Sequence, residues 1–455
     1  MEKLNVLPEL DPGFLPAALW NRSYRKLAAA RPSHPLAVTV ERANGAVSRF
    51  DTVVLEETPE NADLNYRYIE RLVKFMLWAY GGWRVTVAGA PQAAERLRKA
   101  YSVEGERAFD HAIMGQRIYD HDFTVVGTTC EKAPEQRDVA LKLGGNFAGC
   151  RIGFDLGGSD RKCAAVIDGK VVHSEEVVWD PYFQSDINYH RSGILDSLRR
   201  AAAKLPRIDA IGGSAAGIFV DGQPRLTSLF RGIPEKDFIP KVRPIFQELA
   251  KEFPGVPFTV INDGEVTALA GALSMKRNAL LGVAMGTSEA VGYVTPSGNL
   301  TDYLNELAFA PIDYREKDAP CDEWSRDKGV GANYLSQQAV GRLAPAAGFE
   351  FAKDMPLPEQ LKAVQSAMAA GDERAAAIYR SVGVYLGYAA AHYADFYKVE
   401  NLLLLGRVSS GEGGSIIIGE AKRVLATVFP EIKIEFLLPD ETFKRHGQAV
   451  IAATL

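Results

Sequence analysis

The chain has 455 residues, 47% of them hydrophobic and 24% charged, with a formal net charge of −5 at pH 7. That length and apolar content can fill two or three cored domains. Lys and Arg are scattered and the balance is acidic, so a nucleic-acid surface lacks its electrostatic footprint, and no apolar run is long enough to span a bilayer.

The opening segment MEKLNVLPELDPGF lacks the apolar h-region of a signal peptide. Cys130, Cys150, Cys163 and Cys321 are far apart and form no CxxC pair, which points to a reduced, cytoplasmic setting and supplies no zinc ligand set. After a Pro-punctuated entry, LAVTVER (36–42), ANGA and VSRFDTVVL (47–55) predict a β-hairpin rather than a helix-turn-helix. A helix (65–82), a strand (83–89) and a helix (91–101) follow. FDHAIMGQRIYDHDF (109–123) carries Asp110, His111, Asp120, His121 and Asp122. Those are metal-ligand residue types, but their spacing matches no standard site, and exposed strand or loop ends account for them as well.

From residue 150 onward strands and helices alternate, as in a mixed sheet with helices on its faces. GFDLGGSDRKCAAVI (153–167) predicts two apolar strands around a DLGG turn. Residues without a Cβ let main-chain N–H groups close on a phosphate, and Asp155 would sit where a Mg²⁺ ion and its waters are held. Gly-Gly between strands is also ordinary turn chemistry. Helices are predicted over 192–205 and 235–253, with the strand and small-residue loop IDAIGGSAAGIFVDG (208–222) between them. FTVINDGEVTALAGAL (258–273) is a buried-type strand ending at Asn262 and Asp263 and running into an alanine-rich helix. Asn and Asp at such a junction suit helix capping, and a carboxylate there also suits general-base work. ALLGVAMGTSEAVGYV (279–294) places two apolar runs around Gly286, Thr287 and Ser288. Helices over 358–371 and 375–397 follow, then NLLLLGRVSSGEGG (401–414), a strand meeting Gly406 and a small-residue loop that opens another helix.

Taken in order, these four segments resemble the ROK family of bacterial sugar kinases and repressors, in the hexokinase/actin/hsp70 ATPase superfamily. The family's patterns run DxGGT, NDAN, LGTGxG and a late LGGG. The resemblance covers roughly residues 150 to 455. It implies a two-lobed, actin-like (ribonuclease H-like) α/β fold with a central cleft, in which 150–275 form the first lobe and 276–455 the second. Residues 1–149 stand outside it as an additional α/β extension. Their hairpin–helix–strand–helix order parallels 282–425, so they read either as a degenerate, shortened copy of the second lobe or as an unrelated cap.

The resemblance implies ATP-dependent phosphorylation of a sugar hydroxyl, with Asp263 as general base, Asp155 holding Mg²⁺ through water and Mg-ATP in the interlobe cleft. Gly157, Gly158 and Ser159, together with Gly286 and Thr287, would cradle the phosphates, and Gly406, Val408 and Ser409 would lie under the adenosine. Asn262, Ser214 and Glu306 would face the sugar. Sugar and ATP are then the ligands, with no nucleic acid or membrane partner, and family habit implies a homodimer. Two departures stand out. The family's GEIGH aligns with Asn305 to Phe309, keeping Glu306 and losing the His; its GCLExxxSG aligns with 329–338, placing Ala332 where a second Glu normally sits. Its zinc loop is replaced by APCDEWSRDKGVGANY (319–334), so no zinc is expected. A hexose, an amino or N-acetyl sugar, a non-catalytic sugar or nucleotide sensor, and a non-sugar kinase or ATPase of the superfamily all remain open.

Overall fold

The computed structural model describes residues 5–439 and 447–455. The chain divides into two units, and each contains more than one segment of sequence.

One unit comprises residues 140–282, 292–302 and 439–455. Its five-stranded sheet runs, edge to edge, Phe258–Asn262, Ala210–Ala215, Cys150–Leu156, Asp160–Ile167 and Lys170–Val178. The three strands up to Cys150–Leu156 are mutually parallel, and the last three form an antiparallel meander. This is the order expected of a ribonuclease H-like lobe. Parallel strands put their C-terminal ends on one side, so Asp155, Ala215 and Asn262 fall at the same sheet edge. One face packs helix Ile187–Ala202 through Ile194, Leu198 and Ala201. The other receives the short C-terminal helix Gln448–Ala452, with Ala449 and Val450 against Ala164 and Val166. The single helix predicted over 235–253 is broken into Glu235–Asp237, a wide turn at Phe238–Val242 and Ile245–Ala250. Pro240 and Pro244 cause the break, since each lacks the N–H that a continuous helix would use.

The other unit comprises residues 1–139, 283–291 and 303–438. The hairpin expected near the start forms, Ser33–Glu41 against Val47–Leu55. Asn44 and Gly45 adopt left-handed backbone at its turn, where φ reaches 57° and 68°, the pairing that an Asn-Gly hairpin turn favours. The sheet continues through Arg84–Ala88 to Thr124–Thr128. The later sheet has the same spatial order: Glu289–Val294, Leu280–Met285, Asn401–Leu405, Glu435–Leu437. Directions differ, however. Arg84–Ala88 runs antiparallel to Ser33–Glu41, whereas Leu280–Met285 and Asn401–Leu405 end side by side, with Gly406 packed on the Met285 backbone. The extension therefore shares strand order, not strand direction, with the later sheet.

Helix Ala62–Ala79 ties the extension to the rest of its unit in two ways. Its last carbonyls, those of Trp78, Ala79 and Tyr80, accept N–H bonds from Glu306, Asn305 and Leu304, so a helix end that would leave orphan acceptors instead holds the segment bearing Glu306. Its buried face also carries Glu70, Arg71 and Lys74 into an ion-pair network with Arg107, Asp110 and Asp327.

His392, on helix Glu373–Tyr393, is fully buried among Phe75, Phe396 and Tyr314, and neither ring nitrogen has a hydrogen-bond partner. Burial pushes its pKa down to about 3. A neutral native His that would be charged in the unfolded chain below ~6.5 gives full stability above that pH, and stability declines by roughly 1.4 kcal/mol per pH unit as pH falls toward 3. His392→Phe is expected to flatten this acid limb in denaturant melts between pH 7 and 4; an unchanged slope would locate the acid sensitivity elsewhere.

Candidate active site

The sheet edge described above assembles the first set of expected residues. Strand Phe258–Asn262 ends where helix Asp263–Met275 starts, and Asn262 caps that helix, its Oδ1 accepting from the Gly264 N–H at 2.6 Å while its Nδ2 donates to the Gly217 carbonyl at 2.7 Å. Capping thus falls to Asn262, and both ends of its amide are engaged by backbone. Asp263 accepts from local backbone N–H groups, that of Gly264 at 2.9 Å and its own, and burial raises its pKa. Asp155 lies two strands further in, paired in register with the fully buried Ser214 of the strand between. Burial pushes the Asp155 carboxyl up to about 6; the Ser214 hydroxyl and Lys162 oppose the shift, and the Asp263 charge adds to it.

The Asp263 charge raises the Asp155 pKa and Lys162 opposes it, and the two carboxyls form an oxygen-only pair suited to a hydrated hard cation rather than to zinc. Among the described residues no group of three or more His, Cys, Asp or Glu is arranged to hold an ion. A Mg²⁺ ion at Asp155 would therefore complete its shell with water and phosphate oxygens, the usual habit of that ion.

The first glycine turn follows Asp155 directly. Gly157 N–H donates to the Asp160 carbonyl at 3.0 Å, and Trp179 clamps the turn from outside, its Nε1 donating to the Gly157 carbonyl at 2.9 Å and its backbone N–H to that of Ser159 at 3.0 Å. Ser159 donates its hydroxyl to Asp160 at 2.8 Å. A Cβ at Gly158 would collide with the Tyr182 hydroxyl, so side-chain packing also requires glycine there. Arg231 stacks over the Tyr182 ring at 4.1 Å.

The second set lies in the other unit. Gly286 closes a tight turn, its N–H donating to the Ser288 carbonyl at 2.9 Å, with Thr287 between them, and its own carbonyl accepts from the Gln337 N–H at 2.9 Å. Gly406 has φ of 92°, and a Cβ there would strike the Met285 backbone. Close strand approach and left-handed backbone are thus sufficient reasons for this glycine. Val408 is fully buried and the Ser409 hydroxyl donates to the Gly406 carbonyl at 3.0 Å, closing the loop ahead of helix Glu412–Val428. Glu306 sits beside the buried Glu289, whose Oε1 accepts from the Tyr393 hydroxyl at 3.1 Å and whose Oε2 has no hydrogen-bond partner. Burial and the Glu306 charge push Glu289 up to about 8, so it is neutral at pH 7.

Sequence reasoning missed Glu289, Tyr182, Thr267 and Gln448. Gln448 reaches Thr267 across 181 positions and carried no local signal. The five metal-type residues of 109–123 do not converge: Asp110 is bound by Lys74 and Trp78, His121 stacks on Trp83, and Asp122 accepts from Gln116.

No family model and no curated relative matches the sequence. Solved structures do. A ROK hexokinase from Thermus thermophilus superposes with a TM-score of 0.52 at 18% identity, covering 67% of this chain and 97% of that one. The fold is that of ROK-type sugar kinases. A ROK family transcriptional regulator, a homologue of the E. coli MLC protein, also scores 0.52, at 19% identity over 68% of this chain and 78% of its own. A sugar kinase assigned to Cytophaga hutchinsonii scores 0.50, at 15% identity, over 67% and 98%. The uncovered third of the chain matches the length of the extension.

Against the ROK pattern, Phe309, at the position of the lost His, packs against Trp78 at 4.6 Å and Trp324 at 5.0 Å, and Ala332 is buried. The segment replacing the zinc loop is held by its own hydrogen bonds and by ion pairs. Asp322 accepts from Ser325 N–H and Oγ at 2.6 and 2.8 Å, and Asp327 joins the buried ion pairs of the extension. Among the described residues no helix is long and apolar enough to cross a membrane.

Proposed function

We propose that the chain phosphorylates a sugar hydroxyl with ATP, Asp263 being the general base. The observation that carries this reading is the pair Asp155 and Asp263 at one sheet edge, Asp155 buried and Asp263 half-buried, both raised in pKa and beside a glycine turn. A sugar hydroxyl is a poor nucleophile, so a carboxylate near its proton and fixed dipoles around the transferring phosphoryl group are the minimum parts. Asp263 would accept the hydroxyl proton. Its capping duty is taken by Asn262, which leaves a carboxylate lone pair for substrate. Backbone N–H groups of Gly157 to Ser159, and of Gly286 and Thr287, would bind the phosphates, with Gly406, Val408 and Ser409 at the nucleoside. Mg²⁺ held through water at Asp155 would neutralise charge developing on the phosphates. Ser214 and Glu306 would bound the acceptor, an amino or N-acetyl sugar or a hexose, because Phe309 and Ala332 remove two polar readers and unmatched sugar hydroxyls would cost ~1–3 kcal/mol each.

A second reading, a sensor that binds sugar or nucleotide without turnover, is favoured by the same two losses. Release of ADP from Mg-ATP against a panel of sugars separates the two readings: turnover with any sugar supports the kinase, and ligand-induced thermal shifts without ADP support the sensor. ADP release without any sugar would point to an ATPase. Activity is further expected to require Mg²⁺ and to survive dialysis against a zinc chelator; stoichiometric zinc lost together with the fold would overturn the metal assignment.

A further inference from the structure

The C-terminal helix Gln448–Ala452 is seated on the sheet with little tolerance. A Cβ at Gly153 would overlap the Ala449 carbonyl, and one at Gly212 the Ala452 carbonyl, so both strands meet the helix backbone directly. Arg151 locks the following residues, donating from Nε to the Ala453 carbonyl and from a terminal nitrogen to Leu455, each at 2.5 Å. This seating brings Gln448 to the carboxyl of Asp155. Its amide is assigned with nitrogen toward Asp155, because the reverse orientation would face its oxygen to carboxylate oxygens. It then donates to Oδ1 at 3.1 Å and to Oδ2 at 3.0 Å, while its carbonyl lies 2.6 Å from the Thr267 hydroxyl, whose single proton is shared between that oxygen and the Asp263 carbonyl. Thr267 stands one turn into the helix that begins at Asp263, with its hydroxyl 2.8 Å from the Asp263 carbonyl.

We propose that Gln448 is a positioning residue: its amide, oriented by Thr267, holds the Asp155 carboxylate in the orientation that binds a hydrated divalent cation. The inference rests on the Asp155 role proposed above. A carboxylate whose oxygens are both fixed by one amide presents its remaining lone pairs in a defined direction, and partners of this kind commonly set metal affinity. The arrangement also joins the two carboxyls, because Asp155, Gln448, Thr267 and the Asp263 backbone form one continuous chain of contacts.

The test uses the full chain with Gln448→Leu, Thr267→Val and the double variant. Mn²⁺ binding by electron paramagnetic resonance is the first readout, the Mg²⁺ concentration for half-maximal ADP release the second, and the melting temperature the third. Gln448→Leu is expected to weaken Mn²⁺ binding and raise the Mg²⁺ requirement ~10-fold, leaving the acceptor KM unchanged. Thr267→Val, which removes only the orienting hydroxyl, is expected to move both in the same direction by less, and the double variant to go no further than Gln448→Leu. Metal parameters that stay at wild-type values while the melting temperature falls would make Gln448 merely structural and overturn the proposal, as would a wild-type chain that binds no Mn²⁺. Should the wild type phosphorylate no acceptor while Gln448→Leu still weakens Mn²⁺ binding, the kinase reading fails and the positioning role stands.

Discussion

Asp263→Asn is expected to lower kcat for phosphoryl transfer by at least ~10²-fold while nucleotide binding stays near wild type, the scale usual for losing a general base. The substitution is close to isosteric, and Asn262 rather than Asp263 caps the helix, so the fold loses no essential bond. Burial already raises the Asp263 pKa, which means its charge is held against a desolvation cost. Asn carries no such cost. The melting temperature is therefore expected to hold or rise at neutral pH, and this separates lost chemistry from lost structure. A variant that turns over normally would remove Asp263 from the mechanism.

Asp327→Ala is expected to destabilise the chain by about 3–5 kcal/mol, the range for removing one partner from a buried ion-pair network. Asp327 lies 2.8 Å from Arg107, 3.4 Å from Lys74 and 3.6 Å from Arg71, all buried, and those cations hold its pKa far below the carboxylate range. Removing it leaves three buried cations to be balanced by Glu70, Asp110 and the exposed Glu106. The loss is large because water cannot reach these groups to replace the missing charge. Glu70, held down to about 2, adds a pH signature. A carboxylate depressed in the native state contributes stability that is full above its unfolded pKa of ~4.3 and is lost as pH falls toward 2. Urea titration at pH 7 measures the first effect, and a midpoint within about 0.5 kcal/mol of wild type would show that the network is dispensable.

The two carboxylate predictions rest on different kinds of legibility. Asp155 and Asp263 were visible in sequence because each ends an apolar strand and meets a glycine turn or a helix start, a local pattern that follows from chain geometry. The hairpin at 36–55 was visible for the same reason, through Asn44 and Gly45. The helix expected over 235–253 failed where Pro240 and Pro244 removed backbone donors, a local signal outweighed by the apolar periodicity around it.

Other features had no local signal at all. Glycine at 158 and 406 was expected for phosphate and nucleoside approach; the fold shows that Tyr182 and the Met285 backbone already demand it. Asp110, a metal-ligand residue type in a spacing that matches no standard site, is the counterion of Lys74. Gln448 and Asp327 meet their partners from distant parts of the sequence.

By itself the sequence determined the alternation of strands and helices, the turns, and the residue types at each strand end, because backbone geometry and the pairing of apolar faces act over a few residues. Only the tertiary structure decided which carboxyls are charged, which are neutral and which are partnered. Desolvation and Coulomb interactions depend on what lies within a few ångströms in space, and chain separation carries no record of that distance.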